Sequence, residues 1–208
     1  VIRAGSQCHE TKAMKKLALI GGRGYTGAEL LGLLARHGGL ELAFASSGSQ
    51  AGTAIQAVCS AWPNATDQFV ALAQEEVVRR HADVWVLAVP NGVAREWALA
   101  IRAAHPLAVI LDLSADHRFD PAWTYGLPER FRSELKTARL IANPGCYATG
   151  MQLGLLPLVG ELAGPPVVFG VSGYSGAGKK PSPNNDPERL RDNLVPYKLA
   201  GHVHEREV

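Results

Sequence analysis

The sequence predicts an α/β protein with a Rossmann-like, doubly wound parallel sheet, followed by a second α+β domain that is incomplete in this chain. Apolar strand-like runs alternate with segments in which apolar residues recur every three or four positions, the spacing of a helix. The strand-like runs are apolar at nearly every position, as expected for strands covered on both faces of a sheet. After about residue 157 the periodicity weakens, and a long Gly-, Pro-, Asn- and Ser-rich stretch follows.

The alternating elements can be assigned in chain order. The predicted strands are KKLALI (15–20), LELAFA (40–45), VWVLAV (84–89), LAVILDL (107–113), ARLIA (138–142) and PVVFGVS (166–172). The predicted helices are AELLGLLARH (28–37), QEEVVRRH (74–81), GVAREWALAIRAAH (92–105) and a segment from Tyr147 to about Leu156. Residues 1–13 show no such pattern and are interpreted as a tag or upstream extension.

Composition excludes several classes of protein. The 208 residues are 47% hydrophobic and 19% charged, which is typical of a folded globular domain. The net charge of +2 is too small to indicate a nucleic-acid surface or a polybasic membrane patch. No apolar stretch approaches the roughly 18 residues of a spanning helix, and the N-terminus lacks a secretory signal. We therefore expect a cytoplasmic protein with no nucleic-acid or membrane partner.

A glycine-rich turn between the first strand and the first helix predicts a dinucleotide-binding domain over residues 14–147. Gly21, Gly24 and Gly27 stand in a G-x-x-G-x-x-G arrangement. Glycines there permit a tight turn and let the main chain approach a pyrophosphate, whose charge is met by the helix N-terminus. The alternative is a plain glycine-rich turn. The flanking strand and helix favour the dinucleotide.

The end of the second strand indicates which dinucleotide. An acidic residue there would bind a ribose 2′-hydroxyl and repel a 2′-phosphate, but this position reads Ser46-Ser47-Gly48-Ser49. Glu41 opens the strand and should lie at the opposite edge of the sheet. Hydroxyls without a carboxylate favour NADP(H) over NAD(H), although no arginine is evident in the sequence to pair with the phosphate.

Cys146 is the candidate nucleophile. It follows the turn Asn143-Pro144-Gly145 and opens an apolar helix, so it lies in the field of the helix N-terminus, which favours thiolate over thiol. The alternative is a small buried hydrophobic residue, as most free cysteines are. Cys8 and Cys59 have no such setting and are interpreted in that way. The three cysteines form neither a disulfide framework nor a zinc site, and no metal site is predicted.

The histidine pair of Gly201-His202-Val203-His204 could supply the proton donor and acceptor that a covalent thiolate mechanism needs. His-x-His can also be half of a metal site, but no further ligand cluster completes it. On these residues alone, the pair could equally be two surface histidines.

Two further segments carry candidate ligand-binding groups. GYSGAGKK (173–180) imitates a phosphate-binding P-loop, but Lys180 replaces the required hydroxyl and Pro181 stops the helix. It is better interpreted as a flexible segment that closes over a substrate. DLSADHRF (112–119) ends an apolar strand at the sheet edge where ligands bind, so Ser114 and Arg118 are candidates for anion contacts. A salt-bridged, capped turn is the alternative.

The motifs together resemble the N-acetyl-γ-glutamyl-phosphate reductase family, which are NADPH-dependent semialdehyde dehydrogenases of arginine biosynthesis. The resemblance rests on ALIGGRGYTGAELL, VPNGVA, DLSADHRF, YGLPE, ANPGCYAT, SGYSGAGKKPS and GHVHEREV, in that order, and covers nearly all of the chain from Met14. This chain departs from the family where Asn91 stands for a frequent His, and where Gly48 and Val203 stand for frequent Arg residues.

The resemblance implies an enzyme with a homo-oligomeric assembly, a dimer or tetramer, and a partial catalytic or substrate domain over residues 148–208. It implies reduction of the small acyl phosphate N-acetyl-glutamyl 5-phosphate to the semialdehyde and phosphate through a cysteine thioester. Another semialdehyde dehydrogenase, acting on aspartyl or aminoadipyl phosphate, or a non-catalytic NADP-binding sensor domain remains an alternative.

The resemblance also assigns roles to individual residues. Catalysis is assigned to Cys146, His202 and His204, of which either histidine could be the acid and base. Cofactor binding is assigned to Gly21, Gly24, Tyr25, Thr26, Gly27, Ser46, Ser47, Pro90, Ser175 and Gly176. Substrate binding is assigned to Ser114, Arg118, Asn143, Lys179 and Glu207.

Overall fold

A single parallel sheet organises the computed structural model, which describes residues 13–71, 73–196 and 201–208. In these residues the sheet has six strands in the order β2-β1-β3-β4-β6-β5. All paired strands run in parallel. The strands are β1 (Lys15–Ile20), β2 (Leu40–Ser46), β3 (Val84–Leu87), β4 (Val109–Asp112), β5 (Thr124–Tyr125) and β6 (Leu140–Ala142). The predicted Rossmann-like α/β class is confirmed.

Helices connect the strands and cover the sheet. They are α1 (Tyr25–Leu34), α2 (Gln74–Val77), α3 (Ala94–Ala104), α4 (Pro128–Leu135), α5 (Cys146–Leu155) and α6 (Pro187–Leu190). Short 3-10 turns lie at Ile55–Ala57, Leu156–Leu158, Tyr174–Ala177 and Val203–Arg206. No helix in the described part of the chain is both long and apolar enough to cross a membrane.

The alternating side chains of β1 divide the core into two layers. Leu19 packs in a cluster with Leu31 of α1 on one face of the sheet. Ile20 packs on the other face in a cluster with Ile101 of α3. Each of these side chains is at most 2% exposed, and burying a side chain of this size stabilises the fold by about 1.5–3 kcal/mol. Burial on both faces explains why the strand sequences are apolar at nearly every position.

Some predicted elements differ from the structure. The predicted strand 166–172 does not form, and Val167 and Phe169 are largely exposed. A strand is stable only when a neighbour satisfies its backbone hydrogen bonds, and no strand of the described residues pairs with this segment. The predicted helix 74–81 is limited to α2. Strand β5 and helix α4 were not predicted. Strand β5 has only two residues, which are too few to show an alternating pattern.

The sheet topology places two loops beside each other. Strand β1 lies between β2 and β3, so the chain leaves the carboxyl end of β1 at the point where the strand order reverses. Ligands of open parallel sheets bind in the crevice at such a point. The Gly21 N–H donates to the Ser46 carbonyl at 3.0 Å, and the Ala88 N–H donates to the Ile20 carbonyl at 2.8 Å. These bonds fix the glycine turn between the ends of β2 and β3.

Asp116 caps the segment that leads into α3. Its carboxylate accepts hydrogen bonds from the Gly92 N–H at 2.7 Å and from the Ala94 N–H at 3.0 Å. Nearby, the Asn91 side chain accepts from the Ala115 N–H at 3.0 Å. The loops after β3 and β4 are therefore cross-linked, so the capped-turn interpretation holds for this part of DLSADHRF.

We predict that Asp116→Ala lowers the free energy of unfolding by about 1–2 kcal/mol, because two backbone donors at a helix start lose a charged acceptor. Urea unfolding followed by circular dichroism measures the effect. Asp120→Ala is a matched control, since that carboxylate accepts one exposed loop N–H, from Ala122. An equal loss in the two variants would contradict the capping role.

Candidate active site

The glycine turn after β1 is shaped by close backbone contacts. Gly21 has a φ of +87°, and a Cβ placed there would lie 2.4 Å from the Ala88 carbonyl oxygen. A Cβ at Gly27 would lie 2.5 Å from the Gly22 carbonyl oxygen, so this glycine lets α1 pack against the turn. Only glycine fits these two positions. The turn therefore has the tight backbone that a dinucleotide pyrophosphate requires.

The N-terminus of α1 is open toward this turn. Gly24 is its N-cap residue, with extended backbone and no side-chain cap, and a Cβ there would meet no atom within 4 Å. Tyr25 and Thr26 follow in the first turn and are exposed. The N–H groups of a first helical turn have no partner within the helix. Their positive field suits a bound phosphate, and the residues present therefore fit the pyrophosphate of a dinucleotide.

The carboxyl end of β2 differs from the sequence expectation in one respect. Ser46 and Ser47 are only 8% and 5% exposed, and the Ser47 hydroxyl is buried without a hydrogen-bond partner among the described residues. Glu41 pairs in register with Lys16 at the start of the strand, at the far edge as predicted. Sequence reasoning missed Arg23, whose Nη1 donates to the Ser49 hydroxyl at 2.8 Å.

The segment that resembles a P-loop contacts the glycine turn. Lys179 Nζ donates to the Arg23 carbonyl at 2.8 Å and lies 5.1 Å from the centre of the Tyr25 ring. Ser175 and Gly176 lie in the 3-10 turn just before it. The structure thus places Lys179, which the resemblance assigned to the substrate, against the glycine turn. Pro90 lies in the exposed loop after β3, where its carbonyl accepts from the Val93 N–H.

Cys146 is the first residue of α5 and is exposed. The preceding residue, Gly145, is the N-cap, with extended backbone and no side-chain cap. Cys59 is buried in the core beside Ile55, as predicted, whereas Cys8 lies outside the described residues. Cys146 therefore combines exposure with a position at the positive end of a ten-residue helix.

A buried carboxylate joins the last residues of the chain to the turn before Cys146. Glu207 accepts hydrogen bonds from Arg118 Nη1 at 2.8 Å, from the Tyr125 hydroxyl at 2.7 Å and from the Gly145 N–H at 3.0 Å. Arg118 Nε also donates to the Asn143 carbonyl at 2.9 Å. The Glu207 side chain is 0% exposed and that of Arg118 is 8% exposed. The pair therefore holds the Asn143–Gly145 turn from two sides.

The electrostatics of this cluster follow from burial and hydrogen bonding. Burial raises the pKa of Glu207, but hydrogen bonds from Gly145, Tyr125 and Arg118 outweigh it, and the net pKa lies below its ordinary value. Burial and the adjacent Glu207 carboxylate raise the pKa of Tyr125 well above its ordinary value. Tyr125 therefore remains a hydrogen-bond donor to an ionised Glu207.

The two histidines lie at the same turn in different environments. A Cβ added to Gly145 would lie 2.0 Å from His204 Nε2, so this imidazole packs directly on the residue before Cys146. His204 is 8% exposed. Burial lowers its pKa, against the attraction of Glu207, whose Oε1 lies 3.9 Å from Nε2. His202 is half-buried, and its Nδ1 accepts from the His204 N–H at 3.1 Å.

The geometry therefore brings most of the predicted reaction residues together. Five of them lie at the Asn143–Gly145 turn and the start of α5: Arg118, Asn143, Cys146, His204 and Glu207. The centres of the His202 and His204 rings are 4.3 Å apart. Ser114 is different, because its hydroxyl is buried and donates to Asp112 at 2.9 Å. Among the described residues, no group of three or more His, Cys, Asp and Glu side chains could hold a metal ion.

Sequence reasoning missed two residues of this cluster. Tyr125 donates to Glu207, and Gln152 Nε2 donates to the Tyr125 hydroxyl at 2.9 Å. Gln152 is 4% exposed although it lies in α5, an otherwise apolar helix. A polar residue on the buried face of an apolar helix was the one available signal.

A groove of about 520 Å³ lies beside Cys146. One wall is the face of α5 that carries Met151, and the other is the segment 168–172. A Cβ at Gly170 would lie 2.3 Å from the Tyr147 ring, so this segment contacts the residue after the cysteine. The groove gives a small molecule access to Cys146.

Two family models match the chain, and together they identify its family. The model described as the semialdehyde dehydrogenase NAD binding domain matches residues 16–138, and the one described as the semialdehyde dehydrogenase dimerisation domain matches residues 146–208. The chain belongs to the semialdehyde dehydrogenase family. The confirmed parallel fold, the glycine turn and the exposed cysteine at a helix start agree with that membership.

Curated relatives carry a more particular name. The N-acetyl-gamma-glutamyl-phosphate reductase of Xanthomonas axonopodis pv. citri is 50% identical over 194 residues, which are 93% of this chain and 61% of the relative. The reductase of the same name from Stenotrophomonas maltophilia is 51% identical over 92% of this chain and 60% of the relative. The chain thus spans about three fifths of the length of these relatives.

Solved structures share the fold at low identity. Aspartate semialdehyde dehydrogenase from Candida albicans, with NADP, is 17% identical with a TM-score of 0.62 and covers 90% of this chain and 56% of its own. Aspartate semialdehyde dehydrogenase II from Vibrio cholerae is 19% identical with a TM-score of 0.60, covering 80% of this chain and 48% of its own. These likenesses support the fold.

We predict that acid destabilises the protein in two steps. The pKa of His204 is lower in the folded state than its ordinary value of about 6.5, so the unfolded state binds this proton more readily. Neutral His204 therefore adds fully to the free energy of unfolding above about pH 6.5, and this contribution is lost as the pH falls below that value. The lowered pKa of Glu207 adds a second loss below about pH 4.5.

Urea unfolding measured between about pH 7.5 and 2.5 tests this order. His204→Gln should flatten the first step, whereas His37→Gln, at an exposed site, should leave it unchanged. A first step of the same size in wild type and His204→Gln would contradict the assignment.

Proposed function

We propose that the protein to which this chain belongs catalyses the NADPH-dependent reduction of N-acetyl-glutamyl 5-phosphate to N-acetyl-glutamate 5-semialdehyde and phosphate, in arginine biosynthesis. The observation that carries the proposal is the exposed Cys146 at the start of α5, adjacent to a histidine pair and on the ligand-binding edge of the parallel sheet. The reductases that are about 50% identical bear the name of this activity.

NADP(H) is the proposed nicotinamide cofactor. The backbone cradle of Gly21 and Gly27 and the open start of α1 would hold its pyrophosphate. The carboxyl end of β2 offers hydroxyls and a nearby guanidinium, with no carboxylate in the stretch Ser46–Gly52. When bound, the cofactor supplies the hydride for the reduction.

In the first step the Cys146 thiolate attacks the acyl carbon, and a C–S bond forms. The tetrahedral oxyanion then expels phosphate and a thioester remains on the cysteine. The start of α5 stabilises the developing oxyanion through its N–H groups. Because the Gly145 N–H is already bonded to Glu207, the available donors begin with the N–H of Cys146.

In the second step the thioester carbonyl accepts hydride and becomes a thiohemiacetal. Its C–S bond then breaks, which releases the aldehyde and regenerates the thiolate. His202 or His204 moves the proton of the oxygen in these steps. His204 is held neutral at pH 7 by its burial, so it can accept a proton there.

Glu207 and Arg118 act as positioning residues in this proposal. Their polar atoms bond to the Gly145 N–H and the Asn143 carbonyl, so they fix the turn that aims Cys146. Asn143 keeps its proposed substrate-binding role. The same role for Lys179 and Ser114 would require Lys179 to leave the Arg23 carbonyl and the Ser114 hydroxyl to leave Asp112.

Other members of the same family remain second candidates, because an aspartyl or aminoadipyl phosphate reductase would need the same cysteine and cofactor. A panel of semialdehydes assayed in the reverse direction separates these activities. A non-catalytic NADP-binding sensor would leave Cys146 inert, and iodoacetamide labelling as a function of pH tests that alternative.

We further propose a homo-oligomer, a dimer or tetramer, located in the cytoplasm. The match of residues 146–208 to a model described as a dimerisation domain supports the assembly. A division into residues 14–147 for the dinucleotide and 148–208 for part of the substrate domain is in keeping with the two matched ranges.

We predict that Cys146→Ser reduces turnover by at least about 1,000-fold, because a serine hydroxyl is a far weaker nucleophile at neutral pH. The assay follows NADP+ reduction by N-acetyl-glutamate semialdehyde and phosphate in full-length protein. Cys59→Ala is the matched control and should retain turnover within about two-fold. Turnover near wild type in Cys146→Ser would disprove the covalent route.

We predict that Asn substitutions distinguish the two histidines. The variant that lacks the acid and base should lose about 100-fold or more in kcat and the corresponding limb of the pH profile. The other variant should retain that limb and change mainly KM. If both variants retain the full pH profile, the histidine pair has no part in proton transfer.

A further inference from the structure

The guanidinium near the carboxyl end of β2 belongs to Arg23, an exposed residue that takes no part in the two chemical steps proposed above. Arg23 projects from the glycine turn, and its Nη1 donates to the hydroxyl of Ser49, just beyond β2, at 2.8 Å. Both residues are exposed. Within the described part of the chain, no carboxylate pairs with this guanidinium.

The unused hydrogen-bonding capacity at this point is large. A guanidinium carries five N–H donors, and the bond to Ser49 uses one of them. The arginine is also held at its backbone, because Lys179 Nζ donates to the Arg23 carbonyl. These two bonds hold the guanidinium near the end of β2, where it can bind an anion through two parallel N–H donors.

The position of this charge in the fold indicates which anion it meets. Arg23 belongs to the turn that would hold the pyrophosphate, and Ser49 lies three residues beyond the end of β2 at Ser46. In this fold the ribose next to the adenine lies at the end of the second strand. The group that distinguishes NADP(H) from NAD(H), the 2′-phosphate, lies on that ribose.

We propose that Arg23, assisted by the Ser49 hydroxyl, binds the 2′-phosphate and sets the preference for NADP(H). This inference rests on the proposed function, because it assumes that a nicotinamide dinucleotide occupies the glycine turn. It assigns the contact to Arg23 and Ser49 rather than to the hydroxyls of Ser46 and Ser47, which lie in buried residues. In this proposal the 2′-phosphate is bound mainly by Arg23, a residue of the glycine turn whose side chain extends to Ser49 beyond β2.

Isothermal titration calorimetry on the full-length protein tests the inference without turnover. NADP+ and NAD+ are titrated into wild type, Arg23→Gln and Ser49→Ala. Arg23→Gln should weaken NADP+ binding by about 10–100-fold, the range for a lost charge-assisted pair, and change NAD+ binding by less than about two-fold. Ser49→Ala should weaken NADP+ binding by a smaller factor. Arg36→Gln is the matched control, since Arg36 is an exposed arginine whose Nε bonds to the Gly32 carbonyl on α1.

The outcomes separate this inference from the function on which it rests. If wild type binds neither dinucleotide, the proposed function fails. If wild type binds NADP+ and Arg23→Gln binds it equally well, or if the variant loses NADP+ and NAD+ to the same extent, the function stands and the role of Arg23 is overturned.

A rescue variant adds a second test. Gly48 can accept a side chain. A Cβ added there would meet no atom within 4 Å, and the φ of Gly48 lies outside the left-handed region. The residue is exposed, so an arginine side chain can extend into solvent. The double variant Arg23→Gln/Gly48→Arg should recover NADP+ binding by about 10-fold over Arg23→Gln. A double variant as weak as the single one would count against a 2′-phosphate beside Ser49.

Discussion

The carboxylate of Glu207 holds the candidate active site in its observed shape. It is fully buried, and three donors from separate parts of the chain converge on it: Arg118, Tyr125 and the Gly145 N–H. A buried carboxylate is stable only with such partners, and removing one leaves an uncompensated group that is typically destabilising by about 3–5 kcal/mol. The requirement to satisfy this charge ties the last residues of the chain to the turn that presents Cys146.

The parallel sheet brings the glycine turn and the Asn143–Gly145 turn to the same edge. The glycine turn follows β1, and the Asn143–Gly145 turn follows β6, both at the carboxyl ends of their strands. In a parallel sheet these ends share one edge. The close contacts at Gly21 and Gly27 shape a turn that would let the backbone approach a pyrophosphate, and the start of α5 carries the cysteine. The proposed hydride transfer would need both groups at one edge, and the sheet topology places the two turns there.

The fold class, and the residues that the structure brings together around Cys146, could be predicted from the sequence largely because their signals are local. Apolar runs gave the strands of the sheet interior, and the position of Cys146 before an apolar helix gave its place at a helix start. Tyr125, Gln152 and Arg23 were not predicted, because each acts through a partner distant in the sequence. Arg23 meets Ser49 across 26 positions, and Tyr125 meets Glu207 across 82. The strand predicted at 166–172 was wrong because pairing depends on a neighbour, which a local pattern does not reveal.

The Glu207 carboxylate has two effects near Cys146, one through its ion pair with Arg118 and one through its bond to the Gly145 N–H. Glu207 alone would oppose a thiolate at the start of α5, but its ion pair with Arg118 offsets that charge at 2.8 Å. Cys146 itself lies at the N-terminus of α5, where the helix dipole favours an anion. Glu207 also takes the Gly145 N–H as a partner, so in the proposed reaction the first donor left for an oxyanion would be the N–H of Cys146. One buried carboxylate thus fixes the turn and leaves the N–H of Cys146 as the first backbone donor for the proposed substrate.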